Sequence, residues 1–310
     1  MDAGLVAPHR SVLYQECIDS LAPTSPKRYL DCTAGAGGDS WGILDASSPL
    51  GELVALDVDP TAITLTRKRL TEFGQRAKVI HGSYGDVAEI MMNIGWENVD
   101  GILLDLGVSS MQFDQTSRGF SFRGEAPLDM RFDPTGGTTA ARLLETLSED
   151  ELADIIWKYG DERASRRIAR AIKLAGRVQT TTQLAQIVRS ALGNSKEKLD
   201  PATRTFQALR IAVNAELQTL EEALPELTAL LNPGGRIAII SFHSLEDRIV
   251  KQYFKRESVD CICPPEQPVC TCEHKASLRL INRHPMTPSD EEISANPRSR
   301  SAKLRVAEKL

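Results

Sequence analysis

Residues 31–39, Asp-Cys-Thr-Ala-Gly-Ala-Gly-Gly-Asp, continue a short apolar run that is expected to form a buried β-strand. The glycines in this stretch let the backbone adopt positive φ angles and approach a ligand closely. A dinucleotide-binding fingerprint would require another glycine two residues after Gly38, where this chain has Ser40. The stretch therefore predicts a strand, a ligand-binding loop and a helix, and it disfavours a nicotinamide dinucleotide. A tight turn without a ligand is the alternative.

The sequence after this loop alternates between strand and helix signals. Asp59 and Pro60 predict the start of a helix that ends near Phe73. Apolar runs predict four more strands, at 53–56, 79–80, 101–106 and 236–242. Such alternation predicts a parallel sheet with helices on both faces. Two last strands, at 278–282 and 303–307, are expected to form an antiparallel pair at one sheet edge.

A long interval separates the fourth and fifth predicted strands. It spans about 130 residues, whereas one crossover between parallel strands needs only about 30. A helical domain is therefore expected as an insertion, and Ser148 with Glu151 has the pattern of a capping box at one of its helices. The predicted helices lie at 148–158, 162–175, 181–192 and 206–231, the last kinked at Pro225. The predicted division is a first core segment at 1–112, an inserted helical domain at 113–205 and a second core segment at 206–310.

Composition and charge limit the class of protein. The 310 residues are 41% hydrophobic and 25% charged, which is ordinary for a globular chain. Because there is no long apolar stretch and no secretory pattern at the N-terminus, we expect a cytoplasmic protein without a membrane partner. The sequence leaves both a monomer and a homodimer open. The net charge of −5 means that any RNA binding depends on a local basic patch or on a substrate shaped by other proteins.

Acidic and aromatic residues follow the predicted strands. Asp57 ends the second strand about 20 residues after the glycines, where a carboxylate can accept hydrogen bonds from ribose hydroxyls. Tyr84 follows the third strand and can lie against an adenine ring. Asp105 ends the fourth strand. Ligands of open parallel sheets bind beyond the carboxyl ends of the strands, so these side chains are expected to meet in one crevice. Taken singly, each carboxylate also fits a helix cap or a turn.

Two basic regions are candidates for nucleic-acid contact. Arg118, Phe120 and Arg131 lie in a segment where arginines suit phosphates and exposed rings suit base stacking, although Phe120 also fits a domain joint. The second region is a basic face at helical spacing, formed by Arg163, Arg166, Arg167, Arg170, Lys173 and Arg177. Such a face fits phosphate binding, and an ordinary solvated helix surface is the alternative.

The C-terminal part of the chain holds two further candidate sites. His243 follows the fifth strand and can handle a proton, whereas a helix start capped by Ser244 is the alternative. The cysteine-rich loop, residues 261–274, contains four clustered thiols: Cys261, Cys263, Cys270 and Cys272. In a cytosolic protein such a cluster favours a structural zinc site over disulfides, with free thiols as the alternative.

Several segments together resemble the 16S ribosomal RNA cytosine-N4 methyltransferase family of the RsmH/MraW type. The most specific segments are Asp105-Leu-Gly-Val-Ser-Ser110, Arg204-Thr-Phe-Gln-Ala-Leu-Arg-Ile211 and Ser241-Phe-His-Ser-Leu-Glu-Asp-Arg248. The resemblance covers nearly the whole chain and implies a Rossmann-like class I methyltransferase sheet with an inserted all-helical substrate-recognition domain. It also implies S-adenosylmethionine as donor and N4-methylation of a cytidine in the decoding region of 16S ribosomal RNA within the small ribosomal subunit.

The resemblance assigns roles to residues of these motifs. The implied donor-binding residues are Gly35, Gly37, Gly38, Asp39, Asp57, Tyr84, Asp105 and Gln112. The family usually has histidine where this chain has Asp39, so the resemblance does not imply a side-chain contact there, although a backbone contact can be kept. Asp105 is the first candidate for the acceptor of the amine proton, and His243 is the second. The alternatives are a methyltransferase acting on a protein or small molecule, and a non-enzymatic RNA-binding module.

Overall fold

The computed structural model describes residues 11–193, 200–264, 266–267 and 269–310. Residues 1–10 of the predicted first core segment and residues 194–199 of the predicted insertion lie outside the described residues. The chain divides into two compact units, of which one comprises Met1–Gly107 with Gln218–Leu310 and the other comprises Val108–Leu217. We call them the sheet unit and the helical unit.

The sheet unit contains one seven-stranded sheet. Its strands are β1 (Arg28–Asp31), β2 (Glu52–Asp57), β3 (Ala77–His81), β4 (Val99–Asp105), β5 (Leu231–Ser241), β6 (Leu278–Leu280) and β7 (Lys303–Lys309). Their order is β3-β2-β1-β4-β5-β7-β6, in which β1 to β5 are parallel and β7 is antiparallel to both neighbours. This arrangement confirms the predicted Rossmann-like sheet and its antiparallel edge pair.

Thirteen helices are present in the described part of the chain. They are α1 (Tyr14–Leu21), α2 (Gly38–Ala46), α3 (Pro60–Arg69), α4 (Val87–Asn93), α5 (Ser110–Asp114), α6 (Ala140–Thr146), α7 (Glu149–Gly160), α8 (Ser165–Ala175), α9 (Thr181–Leu192), α10 (Ala202–Asn214), α11 (Glu216–Leu230), α12 (Ser244–Glu257) and α13 (Asp290–Ala295). Within the same described ranges, no helix is long and apolar enough to cross a membrane.

Both faces of the sheet are covered, which explains the continuous apolar runs of its central strands. Successive residues of β2 alternate between two cores: Leu53 packs with Ile43 on one face, and Val54 packs with Leu224 on the other. All four side chains are fully buried. The sheet is therefore a rigid platform from which the loops at the strand ends project.

Helix boundaries differ most from the sequence-based prediction at two places, while α8 also begins at Ser165 rather than 162. Helix α3 ends at Arg69, and a 3₁₀ turn containing Gly74 at φ 56° follows it, so the predicted end near Phe73 is wrong. The predicted helix 206–231 is two helices that break at Ala215, which has φ 50°, and not at Pro225, which lies inside α11. The missing hydrogen bond at a proline is tolerated here because the neighbouring leucines of α11 are packed in the sheet core.

The helical unit has its own apolar core, to which α6 to α10 contribute. Helix α7 begins with the predicted capping box, since Ser148 and Glu151 each bond the other's backbone N–H. Helix α9 has the bounds predicted from its sequence. The unit extends beyond the proposed 113–205 because Val108 and Val213 also pack against its core.

Candidate functional site

The strand order reverses between β1 and β4. In open parallel sheets, the crevice beyond the carboxyl ends of the strands at such a reversal is the usual ligand site. Asp31 and Asp105 end the two strands that flank this crevice, and Asp57 ends the next strand outward. The sheet topology therefore brings three carboxylates to one edge of the sheet unit.

The loop after β1 is held open by hydrogen bonds to its backbone. The Gly35 N–H donates to Asp57 Oδ2 at 2.8 Å, and the Thr66 hydroxyl donates to the Gly35 carbonyl at 2.9 Å. Gly35 and Gly37 have φ angles of 53° and 76°, and a Cβ on Gly37 would lie 3.2 Å from the Thr66 Cα. Glycine is therefore required at Gly37 by both conformation and space, as the sequence predicted for a close backbone approach.

Asp57 connects this loop to the start of α3. Its Oδ2 atom accepts from Gly35, and its Oδ1 atom accepts from the Asp59 N–H at 2.8 Å. Burial raises the pKa of Asp57, and these backbone donors oppose the shift. Each carboxylate oxygen keeps a further lone pair, so Asp57 can still accept hydrogen bonds from hydroxyl groups of a ligand.

Asp31 is a site residue that the sequence analysis did not single out. It is 1% exposed, and its carboxylate accepts from the Ser40 hydroxyl at 2.5 Å and from the Thr33 N–H at 3.1 Å. Burial raises the pKa of Asp31 to about 6 despite these bonds. The serine that replaces the third glycine of a dinucleotide fingerprint therefore has a direct role in fixing a buried acid.

Asp31, Asp39 and Asp105 together form what we call the acidic cluster. Burial, followed by the charge of Asp31, raises the pKa of Asp39 to about 7, while the Ser11 hydroxyl and the Arg69 charge oppose the shift. Burial and the charges of Asp39 and Asp31 also raise the pKa of Asp105 well above its usual value. Within the described residues, the Oδ1 atoms of Asp39 and Asp105 are buried without a hydrogen-bond partner. Burying these oxygens without a partner costs free energy, and a cation or a hydrogen-bond donor would lower that cost.

His243 lies after β5 but its ring is engaged locally. It is the N-cap of α12, and its Nδ1 atom accepts from the Glu246 N–H at 3.4 Å, so the alternative of a helix start holds, with His243 rather than Ser244 as the cap. The Nε2 atom lies 3.1 Å from Glu246 Oε1, although without hydrogen-bond geometry. Glu246 Oε2 in turn accepts from the Phe242 N–H at 2.9 Å. These contacts fix the ring and position the 242–246 turn.

Tyr84 and Gln112 lie in different units. Tyr84 begins a 3₁₀ turn directly after β3 and is half-buried against the sheet core. Gln112 belongs to the helical unit and is 6% exposed. Its side-chain oxygen accepts from the Ser109 N–H at 3.1 Å, so its amide forms part of the capping box of α5.

The predicted nucleic-acid contacts near residue 120 are used mainly inside the helical unit. Arg118 is 9% exposed and donates to the carbonyls of Arg131 and Phe132 at 3.0 and 2.7 Å. Phe120 is 7% exposed and stacks on Phe132, so the expectation that its ring is exposed for base stacking is wrong. Arg131 makes two bonds of 2.8 Å to Asp129. The side chains of Arg118, Phe120 and Arg131, which the sequence suggested as a binding loop, therefore take part in contacts within the helical unit.

The predicted basic face on and beside α8 is exposed to solvent. On the opposite side of the helix, Ile168, Ala169 and Ile172 are buried. The exposed members of the face are Arg163, Arg166, Arg167 and Arg170. The other two members of the predicted face have partners in the helical unit: Lys173 donates to the Leu144 carbonyl at 2.6 Å, and Arg177 pairs with Glu145 at 3.3 Å. Helix α8 is therefore amphipathic, and the charged residues on its polar side are all basic.

The four clustered cysteines are also brought together, since each pair of Sγ atoms lies within 4.8 Å. The sequence predicted this cluster as a candidate for structural zinc. All four cysteines are free thiols.

Comparison with known proteins assigns the family. The model of the MraW methylase family matches residues 6–310. The chain belongs to the MraW methylase family. This match confirms the resemblance found in the sequence.

Three relatives of this MraW methylase carry the same name. Ribosomal RNA small subunit methyltransferase H of Dehalococcoides mccartyi is 53% identical over 303 residues, which cover 98% of this chain and 87% of the relative. The protein of the same name from Thermomicrobium roseum is 48% identical over 313 residues, covering 100% and 96%. That of Heliobacterium mobile is 46% identical over 308 residues, covering 97% and 99%.

Two contributors to the site of this MraW methylase were missed in the sequence. Asp31 was quoted as part of the loop but not as an acid in the site, and Ser40 was considered only as an absent glycine. The nine-residue spacing between them places both at the strand–helix turn. The signal in the sequence was Ser40 itself, a polar residue at the position where a dinucleotide-binding fingerprint has glycine.

Proposed function

We propose that this MraW methylase transfers a methyl group from S-adenosylmethionine to the N4 amine of a cytidine in the decoding region of 16S ribosomal RNA. The observation that carries the proposal is the acidic cluster at the sheet reversal, where two buried carboxylate oxygens have no hydrogen-bond partner among the residues that the structure describes. The names of the relatives support ribosomal RNA of the small subunit as the substrate. The cytidine position follows from the motif resemblance.

The residues at the crevice fit this donor. When bound, S-adenosylmethionine supplies an electrophilic methyl group on a positively charged sulfonium. Asp39 and Asp105 each have a buried oxygen without a hydrogen-bond partner among the described residues, and the positive groups of the donor would favour their ionised forms. Asp57 offers lone pairs to ribose hydroxyls, and Tyr84 offers the exposed part of its ring to the adenine. Gly35 and Gly37 have no Cβ atom to obstruct this path, and both adopt positive φ angles that favour glycine.

Asp105 is the residue we assign to the amine proton. The exocyclic amine of cytosine is a weak nucleophile because its lone pair is delocalised into the ring, so the enzyme must hold it in line with the methyl group. Burial and neighbouring acids raise the pKa of Asp105, which makes its carboxylate form a stronger base than an exposed carboxylate. The target base has to leave its stack to reach such a crevice. Because the ring of His243 accepts a hydrogen bond from the Glu246 N–H, we assign His243 a positioning role rather than the role of proton acceptor.

A direct test compares the methylation of 16S RNA in strains with and without the gene. Mass mapping of the decoding region should show one cytidine that loses a methyl group in the deletion strain and regains it with the intact gene. Labelled-methyl transfer in vitro to small subunits, free 16S RNA and ribosomal proteins then identifies the substrate. We expect label on the RNA of assembled subunits, in keeping with the net charge of −5. An unchanged decoding region, or label on protein, would overturn the proposal.

The basic face of α8 should contact RNA phosphates. Replacing Arg163, Arg166, Arg167 and Arg170 with glutamine is expected to raise the KM for small subunits at least tenfold and to leave kcat at saturation nearly unchanged. Because each phosphate contact on a single strand contributes about 0.7 to the log–log salt dependence, the slope should fall by about 3. Initial rates of methyl transfer at several salt concentrations measure both quantities.

A matched control removes the same charge from the sheet unit. The exposed residues Lys27, Lys68, Lys251 and Arg283, changed to glutamine, should leave the KM and the salt slope close to those of the wild type. Equal effects in both quadruple variants would show that net charge alone is responsible and would remove the specific role of α8.

A further inference from the structure

The four thiols of the cysteine-rich loop have the spacing of a coordination shell. The Sγ atoms of Cys270 and Cys272 are 3.6 Å apart, and those of Cys272 and Cys261 are 3.9 Å apart. Cys263 completes a group in which all four sulfurs lie within 4.8 Å of one another. Zinc–sulfur bonds of about 2.3 Å in a tetrahedron give sulfur–sulfur edges of about 3.8 Å. The observed separations therefore suit four ligands around one ion.

The same distances exclude covalent pairing in this arrangement. A disulfide needs its two sulfurs about 2.05 Å apart, well below either separation. Thiol–thiol hydrogen bonds are weak and do not gather four side chains around one point. The Ile262 N–H also donates to the Cys272 sulfur at 3.4 Å, an arrangement that stabilises a thiolate rather than a neutral thiol.

Among the described residues of the loop (261–264, 266–267 and 269–274), no apolar core holds the cysteines together. Its large apolar residues are exposed: Ile262 is 48% and Val269 is 69% exposed. At its base, the Ser277 N–H donates to the Glu257 carbonyl at 2.9 Å, which joins the end of α12 to the start of β6. This contact closes the ends of the loop but leaves the converging thiols without packing support. Small segments of this kind commonly depend on a metal ion or disulfides.

The ligand set favours one class of ion. His274 lies in the same loop, but its Nε2 atom is 2.9 Å from the Arg256 carbonyl, and the group of converging ligands consists of thiols alone. Four soft thiolates in a tetrahedron select zinc or iron over calcium, magnesium and manganese. With four protein ligands there is no open position for a substrate, which is the property of a structural site.

We propose that Cys261, Cys263, Cys270 and Cys272 bind one zinc ion, which fixes the conformation of the cysteine-rich loop. The site is separate from the crevice at the strand ends, so it stands or falls independently of the methyl-transfer proposal. Its cysteines arrive from two Cys-x-Cys pairs, and each pair supplies two corners of the tetrahedron.

Metal analysis of the full-length protein tests the site. Protein purified under reducing conditions without chelator should contain one equivalent of zinc, and the double variant Cys270→Ser, Cys272→Ser should contain almost none. Thr271→Ser, which changes the residue between the two ligands, should keep the full equivalent. Cobalt added to chelator-treated wild type should give intense visible bands of tetrahedral thiolate coordination, a readout that needs no variant and no activity.

Thiol titration with an aromatic disulfide reagent distinguishes the other states of the cluster. In the zinc-bound wild type the four thiols should react only after a chelator is added, whereas in the double variant the remaining two should react at once. Four thiols that react without chelator in protein that takes up neither zinc nor cobalt would overturn the proposal. Iron in place of zinc, or two disulfides in freshly reduced and desalted protein, would overturn it equally.

Discussion

Asp105→Ala is expected to lower the single-turnover rate of methyl transfer by about 10²–10⁴, the usual contribution of a positioned acid–base group. The substitution removes the only proposed acceptor for the amine proton. The backbone N–H of Asp105 donates to the Thr33 hydroxyl at 2.6 Å, and this bond does not depend on the side chain. The variant should therefore fold, and its defect should lie in chemistry rather than in the sheet.

Two further variants sharpen this result. Asp105→Asn keeps an oxygen that can orient the amine but cannot take its proton, so its rate should fall between those of Asp105→Ala and the wild type. Asp45→Asn removes one negative charge from the exposed side of α2 and should leave the rate unchanged. Donor affinity, measured by calorimetry, separates binding from chemistry. A wild-type rate for Asp105→Ala at saturating donor would eliminate the acceptor role.

The second large effect is a dependence of donor affinity on pH. Because the pKa of Asp39 is raised to about 7 in the free protein, this carboxyl is largely protonated at pH 6 and ionised at pH 8. A sulfonium attracts only the ionised form, so the affinity for S-adenosylmethionine should fall by about tenfold from pH 8 to pH 6. S-adenosylhomocysteine has no sulfonium charge and should show a much smaller slope in the same calorimetric titrations.

The comparison of the two ligands isolates the sulfonium. Their α-amino groups titrate alike, at a pKa of about 8, and therefore cancel in the difference between the slopes. In Asp39→Asn the slope for S-adenosylmethionine should approach that for S-adenosylhomocysteine, whereas Asp45→Asn should retain the wild-type difference. Equal slopes for both ligands in the wild-type protein would refute an electrostatic role for Asp39.

The same substitution should change stability in the opposite direction to affinity. Folding raises the pKa of Asp39, so the ionised side chain destabilises the free protein above pH 7, and this penalty disappears as the pH falls from about 7 to about 4. Asp39→Asn should therefore stabilise the free protein at pH 8, by about 1–3 kcal/mol, while weakening donor binding. Denaturant unfolding at pH 8 measures this gain, which should shrink on acidification.

Local signals in the sequence were sufficient for most of the secondary structure. Helix α9 could be bounded because its cap, Thr180 with Gln183, lies within four residues of chain. The break at Ala215 could not, since the preceding Asn214 bonds the Met130 carbonyl and the Phe132 N–H, more than 80 residues away in sequence. A proline is a visible local signal, whereas these bonds exist only in the folded unit.

The candidate site shows the same division. Strand ends located Asp57 and Asp105 because the carboxyl edge of a parallel sheet follows from strand direction alone. Burial decided the rest: the sequence could not show that Asp31 and Asp39 lose solvent together, nor that Phe120 packs against Phe132 inside its unit. Charge and aromaticity are properties of residues, but their use depends on which surfaces the tertiary fold covers.

The hydrogen bond between Ser277 and Glu257 makes the cysteine-rich loop a removable module. Since the two ends of the loop already meet there, insertions or deletions between them change neither the length of α12 nor the register of β6 against β7. Evolution can therefore gain, enlarge or discard this loop as it would a hairpin tip, without cost to the sheet. The same neck offers protein engineers a place to graft a reporter or an affinity tag onto a working methylase.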